Sequence, residues 1–143
     1  MAAAEPRAVF YAVPFMKLLG VRREFSEGGR ARLVLEPREE FGNVIGAVHG
    51  GVVATLLDVA MASAAVSRRD FEVTAVTLNM DSSFVAPGRG PLTADGEVIS
   101  HDGDVAFCRA AVTDQHGQLV AQALGSFRYL PRPDAGGATP PPR

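Results

Sequence analysis

Three short stretches in the middle of this 143-residue chain carry side chains that could do chemistry together: Asn43, the run His49-Gly50-Gly51, and Asp58. The amide can donate hydrogen bonds, and the imidazole and the carboxylate can move protons. Two glycines leave the backbone N–H groups beside them accessible, because no side chain shields the approach. This grouping predicts a catalytic site.

A long apolar run follows these glycines, from residue 52 to residue 66, and Asp58 is its only charge. Alanine and leucine dominate the run, and both favour helix. A helix that is apolar nearly all round is a buried one, and a carboxylate inside it is costly unless it is paired or used. We therefore predict a buried helix that begins near His-Gly-Gly, ends at residues 67–70 and has a functional carboxylate in its middle.

The rest of the chain predicts strands that enclose this helix. A short helix over residues 14–20 and a hairpin closed by Gly28-Gly29 come first, and a meander of strands follows the helix. In the first strand after the helix, Val76, Leu78 and Met80 are expected on one face. The predicted strands cover residues 21–25, 31–35, 74–84, 92–100, 105–113 and 119–129. One helix with strands on both sides in sequence predicts an α+β domain whose unfinished edges favour dimerisation.

The composition limits the domain organisation of the chain and the kinds of partner that it can bind. Residues 1–13 are expected to be a loose arm, residues 14–130 one domain, and the Pro/Gly-rich residues 131–143 a disordered tail. A net charge of −2 and a pI near 5.9 argue against nucleic-acid or anionic-membrane partners. The single Cys108 excludes an internal disulfide, and the amino end lacks the pattern of a signal peptide. No span is long and apolar enough to be credible in a membrane, so a cytoplasmic location is expected.

With these features in place, the chain resembles a known family. Asn43, Gly46, His49-Gly50-Gly51 and Leu57-Asp58, followed by residues 75–80 and 85–88, resemble the hot-dog-fold acyl-CoA thioesterases of the PaaI-like, phenylacetate-degradation type. The resemblance covers residues 15–130. It implies an antiparallel sheet wrapped around one long central helix, an acyl-CoA substrate, no cofactor, and a homodimer paired again into a tetramer.

Thioester hydrolysis needs donors at the carbonyl oxygen and an activated water or nucleophile. The start of a helix offers unpaired N–H groups and a partial positive charge, and the resemblance implies that Gly50 uses them on the thioester. The alternative is that the glycines only permit a tight turn. Asp58 is eight residues further on, roughly 12 Å along the helix, so a single carbonyl carbon cannot meet both on one chain. A second subunit must then supply Asp58, as general base or as nucleophile; a purely structural carboxylate is the alternative.

Each of the other candidate site residues has two possible interpretations. Asn43 either donates to the thioester oxygen or holds its own loop, since asparagine is common in turns. His49 either orients the loop or lies near the leaving thiol. The resemblance implies that Thr77 positions the attacking water, and a structural cross-strand hydroxyl is the alternative. Arg68, Arg69 and Arg89 are candidate contacts for the CoA phosphates, or ordinary surface arginines. No cluster of His, Cys, Asp and Glu has metal-ligand spacing.

Two other functions compete with thioester hydrolysis. A hot-dog hydratase or dehydratase pairs a histidine with a helix carboxylate in a different local sequence, such as His-Phe-Pro, which this chain lacks. The second competing function is a non-catalytic acyl-CoA-binding module on the same fold. The presence of Asn43, Gly50 and Asp58 together argues against it. The acyl pocket is expected to depend on how Phe15, Leu19, Met61 and Phe84 pack with residues of the other subunit.

Overall fold

The computed structural model describes residues 9–133, in which six antiparallel strands wrap around one long helix. The strand order across the sheet is β1-β2-β4-β5-β6-β3. This is the α+β hot-dog architecture that the sequence predicted, and the strand ends lie within two residues of the prediction. The helices are α1 (Val9–Ala12), α2 (Pro14–Leu19) and α3 (Gly50–Arg68), with a 3₁₀ turn at Glu39–Phe41; the strands are β1 (Arg22–Glu27), β2 (Arg30–Leu35), β3 (Val73–Phe84), β4 (Leu92–Asp102), β5 (Val105–Thr113) and β6 (Leu119–Pro131).

Helix α3 packs on the sheet through one broad face. Leu56, Leu57 and Met61 on this face are fully buried, and they meet inward-pointing side chains of the strands. The prediction of burial all round is wrong, because the sheet covers the helix from one side only. The opposite stripe stays partly or fully exposed, and it consists of Gly51, Thr55, Asp58, Ala62 and Val66.

By length and mean hydropathy, 1.6 over its apolar window, α3 passes for a membrane-crossing segment, so the expectation that no span is long and apolar enough is wrong. Half of that window is buried inside the domain, in contact with the sheet. Its apolar character is explained by its position as the core helix.

Strand β3 lies at the edge of the sheet, since within residues 9–133 it pairs only with β6. A β-bulge between Thr77 and Asn79 breaks its alternation. Ala75 before the bulge and Met80 after it therefore both pack against the core. The expected shared face of Val76, Leu78 and Met80 is wrong for this reason. Val76 and Leu78 are instead exposed along an apolar edge, the kind of edge that pairs with another chain.

The two ends of the domain extend slightly further than predicted. Of the expected loose arm, residues 1–8 lie outside the described residues, but α1 forms one helical turn and Phe10 is buried. The Arg23 guanidinium lies 4.8 Å from the centre of the Phe10 ring. At the other end, β6 continues to Pro131, which pairs in register with Val73. Residues 134–143 of the predicted tail lie outside the described residues.

Gly96 on β4 marks the closest approach of the sheet to α3. A Cβ atom at this position would lie 2.4 Å from the Ala60 carbonyl oxygen and 2.9 Å from the Met61 backbone nitrogen. Backbone atoms of a packed helix cannot swing aside. We expect Gly96→Ala to lower the free energy of unfolding by about 1–3 kcal/mol, measured by urea titration. Ser100→Ala, at an exposed position of the same strand, is the control, and equal stability of the two variants would contradict this close packing.

Candidate active site

The first turn of α3 has one backbone donor without a partner. His49 is the N-cap, and its Nδ1 accepts a hydrogen bond from the Gly51 N–H at 2.9 Å. The His49 carbonyl oxygen accepts from the Val52 and Val53 N–H groups at 2.9 and 3.2 Å. Within residues 9–133, no hydrogen bond uses the Gly50 N–H. This N–H lies at the positive end of the helix and is available to an electron-rich oxygen.

The loop of residues 43–47, called here the Asn43 loop, is held by the side chain of its first residue. Asn43 Oδ1 accepts hydrogen bonds from the Ile45 and Ala47 N–H groups at 3.1 and 3.0 Å, and the Asn43 N–H donates to the Ala47 carbonyl at 2.7 Å. Two backbone donors fix which end of the amide is the oxygen. Among the described residues the Asn43 Nδ2 donors have no acceptor, so Asn43 can hold its loop and still donate to a ligand.

Arg89 reaches this loop from the turn after β3. Its Nη1 donates to the Gly46 carbonyl at 3.1 Å and its Nη2 to the Ile45 carbonyl at 3.2 Å. The Val48 N–H donates to the Gly88 carbonyl at 2.8 Å, which joins the same turn to the segment before α3. The turn and the Asn43 loop therefore form one connected structure beside Gly50.

An apolar groove of about 320 Å³ lies beside Gly50. Phe84 forms one wall, and its Cε1 would be 3.7 Å from a Cβ atom on Gly50. Of the residues expected to shape the acyl pocket, only Phe84 lines this groove. Leu19 and Met61 are core residues, and Phe15 is exposed outside the groove. Sequence reasoning missed most of the lining, because single valines and alanines give no local signal. The lining residues are Asn43, Ile45, Val48, Gly50, Val53, Phe84, Val85, Ala86, Pro87, Gly88 and Val120.

Asp58 and Thr77, both predicted from the sequence, are in direct contact. The Thr77 hydroxyl donates to Asp58 Oδ1 at 2.5 Å and links the middle of α3 to β3. Asp58 is half-buried on the uncovered stripe of the helix. The hydrogen bond fixes the orientation of the carboxylate and leaves its second oxygen for another partner.

The Gly50 and Asp58 groups are half-sites that do not meet on one chain. Helix α3 is continuous from Gly50 to Arg68, so the two residues lie about 12 Å apart along its axis. Asn43, His49, Gly50 and Arg89 gather at the start of the helix, whereas Asp58 and Thr77 lie near its middle. The first group offers backbone and amide donors, and the second offers a carboxylate held by a hydroxyl.

The predicted phosphate-binding arginines are divided between the two ends of α3. Arg68 Nη2 contacts His101 Nε2 at 2.5 Å, and the Arg69 guanidinium lies 4.5 Å from the centre of the Tyr129 ring. Both arginines are at the helix end, about 27 Å from Gly50 on the same chain. Only Arg89 lies beside the groove.

Cys108 takes no part in these half-sites. Burial inside β5 raises the pKa of its thiol to about 12, so the thiol stays protonated at neutral pH. A thiolate nucleophile from this residue is therefore excluded.

Sequence comparisons connect the chain with known proteins. A family model described as thioesterase superfamily matches residues 45–121. The chain is 31% identical over 115 residues to "Putative esterase SSO2140" of Saccharolobus solfataricus, and the match covers 80% of this chain and 81% of the relative. It is 33% identical over 126 residues to "Putative esterase VNG_1336C" of Halobacterium salinarum, covering 80% of this chain and 83% of that protein.

Solved structures share the fold. A thioesterase family protein from Silicibacter pomeroyi superposes with a TM-score of 0.83 at 23% identity, covering 90% of this chain and 97% of the other. The E. coli PaaI protein from the phenylacetic acid degradation operon gives a TM-score of 0.81 at 23% identity, covering 88% and 91%. At these identities the two structures establish the architecture alone.

The capping role of His49 can be tested through stability. His49→Ala removes the acceptor for the Gly51 N–H and should lower the free energy of unfolding by about 1 kcal/mol, as loss of an N-cap does. His49→Asn keeps an acceptor at the cap and should restore most of the loss. Urea titration of both variants measures this, and an equal loss in the two would contradict the capping role.

Proposed function

Since this chain belongs to the thioesterase superfamily and is a thioester hydrolase, we propose that it hydrolyses acyl-CoA thioesters at a site shared by two subunits. The observation that carries the proposal is the pair of half-sites on α3. The Gly50 N–H at the helix start has no partner within residues 9–133, and Asp58 lies too far along the same helix to act on the same carbonyl. The cytoplasm is the proposed compartment, where acyl-CoA is available and the free Cys108 is compatible with reducing conditions.

In the proposed reaction, the thioester oxygen accepts hydrogen bonds from the Gly50 N–H and the Asn43 Nδ2. The partner subunit's Asp58 takes a proton from water, and the water oxygen attacks the carbonyl carbon. Negative charge then collects on the oxygen that the two donors already face. When the intermediate collapses, the carbon–sulfur bond breaks, the sulfur leaves as the CoA thiolate and takes up a proton, and the free acid remains.

General-base action by Asp58 agrees better with its contacts than nucleophilic attack. The hydrogen bond from Thr77 engages one carboxylate oxygen and holds the group in a fixed orientation. The second oxygen can then accept the proton of a water molecule. A mixed anhydride on Asp58 that water opens at the Asp58 carbonyl carbon would instead leave one carboxylate oxygen in the acid product and put the water oxygen into Asp58, which a single turnover in ¹⁸O-labelled water detects.

The dimer geometry follows from the pairing of half-sites. A two-fold axis can bring Asp58 of each chain to Gly50 of the other. The two copies of α3 are then antiparallel and cross at Ala54, which is midway between Gly50 and Asp58 in the sequence. The uncovered stripe of α3 has small side chains such as Ala62, which permit close approach of the partner subunit's helix. The exposed apolar edge of β3 is then covered as well. For the second pairing into a tetramer, the outer face of the sheet offers Phe25 and Leu124, both exposed.

The same symmetry brings the distant arginines to the site. In an antiparallel helix pair crossing at Ala54, the partner subunit's Arg68 lies about 15 Å beyond Gly50 along the axis. An extended pantetheine arm spans such a distance. The proposed phosphate contacts are therefore the partner subunit's Arg68 and the partner subunit's Arg69.

The first test is Asp58→Asn, which keeps the size of the side chain and removes the charge that activates water. We expect kcat to fall by about 10²–10⁴-fold while the protein stays folded and still binds acyl-CoA, because general-base assistance is worth that much. Thiol release measures kcat, and urea titration and ligand binding are the controls. Retained kcat together with lower stability would show that Asp58 is structural.

The second test is subunit complementation between Asp58→Asn and Gly50→Val. A Cβ atom at Gly50 would lie 3.7 Å from Phe84 Cε1, which is an ordinary contact distance. The valine variant should therefore fold, and its side chain should block the approach to the residue 50 N–H. Each homodimer should be nearly inactive. After subunit exchange, half of the dimers are mixed and one of their two sites is intact, which restores roughly a quarter of wild-type activity. Confirmed exchange without recovered activity, or a fully active monomer in sedimentation, would refute the shared site.

A further inference from the structure

The tip of the Asn43 loop has little packing to hold it. Val44 is fully exposed, with a relative accessibility of 101%, and Ile45 is 59% exposed. Gly46 adopts a left-handed conformation with φ of 76° and has no side chain to pack. Hydrogen bonds must therefore fix the position of this tip.

The two ends of the loop are fixed by backbone contacts. A β-bridge joins Gly42 to Val48, the His49 N–H donates to the Phe41 carbonyl at 2.7 Å, and the Val48 N–H donates to the Gly88 carbonyl. None of these contacts reaches the tip. The Gly46 N–H at the tip donates to the Asn43 carbonyl at 3.0 Å, but this bond joins the tip only to the first residue of its own loop.

The Arg89 guanidinium holds the tip itself. It donates to two successive carbonyl oxygens, those of Ile45 and Gly46, at 3.2 and 3.1 Å. The Ile45 N–H at the same tip donates to Asn43 Oδ1, so the tip and the Asn43 side chain are connected by one hydrogen-bond chain. A planar guanidinium can bind two adjacent acceptors at once, whereas a lysine ammonium acts as a single compact charge.

We infer that Arg89 is a positioning residue that acts on thioester hydrolysis through the Asn43 loop, and that it does not bind the CoA phosphates. The inference rests on the proposed function, because Asn43 Nδ2 is there a donor to the reacting oxygen. With the guanidinium bound to the loop carbonyls, the Asn43 amide is held beside the Gly50 N–H before substrate arrives. Loss of this restraint lets the amide drift from the oxygen that it must face.

The experiment compares Arg89→Met and Arg89→Lys on two thioesters of the same acyl group, one with CoA and one with N-acetylcysteamine, which has no phosphates. A displacement of about 1 Å in a donor can cost up to about 10²-fold in rate, so we expect kcat to fall by roughly 10- to 100-fold. The fall should be the same for both thioesters and similar in both variants, with KM little changed. Arg128→Met, at an exposed position of β6, is the matched control and should behave as wild type.

A phosphate contact predicts a different pattern, which would overturn the inference. KM would then rise for the CoA thioester alone, the N-acetylcysteamine thioester would be unaffected, and Arg89→Lys would retain most of the activity because lysine also binds phosphate.

A second measurement separates this inference from the proposed function. Amide hydrogen exchange of Ile45 and Ala47, the two N–H groups bound to Asn43 Oδ1, should become faster in Arg89→Met and stay unchanged in Arg128→Met. Unchanged exchange in Arg89→Met would overturn the positioning role whatever the kinetics show. If the wild-type protein hydrolyses neither thioester, the proposed function fails, and the exchange rates still decide whether Arg89 holds the loop.

Discussion

The rigidity of one helix is the constraint on which the rest of this structure depends. A hydrogen-bonded helix holds residues eight positions apart at a fixed separation of about 12 Å, and neither Gly50 nor Asp58 can shorten it. The donor at the helix start and the carboxylate in its middle are both partly uncovered. In the proposed dimer this separation becomes useful, since two antiparallel copies bring each group to the other and create two identical sites.

The start of the helix is arranged so that one N–H stays unpaired while its neighbours are satisfied. His49 binds the Gly51 N–H with its ring nitrogen and the next two N–H groups with its carbonyl. Gly50 then has an unused donor and no side chain in front of it. Fixed dipoles of this kind need no rearrangement when charge develops on a substrate oxygen. The His-Gly-Gly run thus has a physical explanation that requires no proton transfer by the imidazole.

The sheet explains why these groups remain accessible. It approaches α3 most closely at Gly96, where the helix backbone leaves no room for a side chain. Among the described residues it ends at β3, which contacts Asp58 through Thr77 and leaves that stripe of the helix partly exposed. The bulge near Leu78 places Thr77 towards the helix and still lets Met80 pack on the core. The edge therefore orients the carboxylate and also exposes an apolar surface.

The sequence by itself determined the elements and the candidate residues. The apolar run with helix-forming residues predicted α3, and alternation with glycine turns predicted the strands, because both signals are local and periodic. Asn43, Gly50 and Asp58 stood out by residue type and spacing, and Thr77 was indicated by the family resemblance. Their roles in the reaction are part of the proposal.

Tertiary structure decided the features that depend on distant parts of the chain. The exposed stripe on α3 exists because the described sheet ends at β3. The residue composition of a helix cannot show which of its sides the sheet will cover. The bulge in β3 depends on pairing with β6, so the alternation in sequence gave the wrong face for Met80. From the sequence, Arg89 was either a candidate contact for the CoA phosphates or an ordinary surface arginine. Only the fold brings it to two carbonyls more than forty residues earlier. Hydrogen-bond partners at such separations follow from chain topology, which no local pattern of residues records.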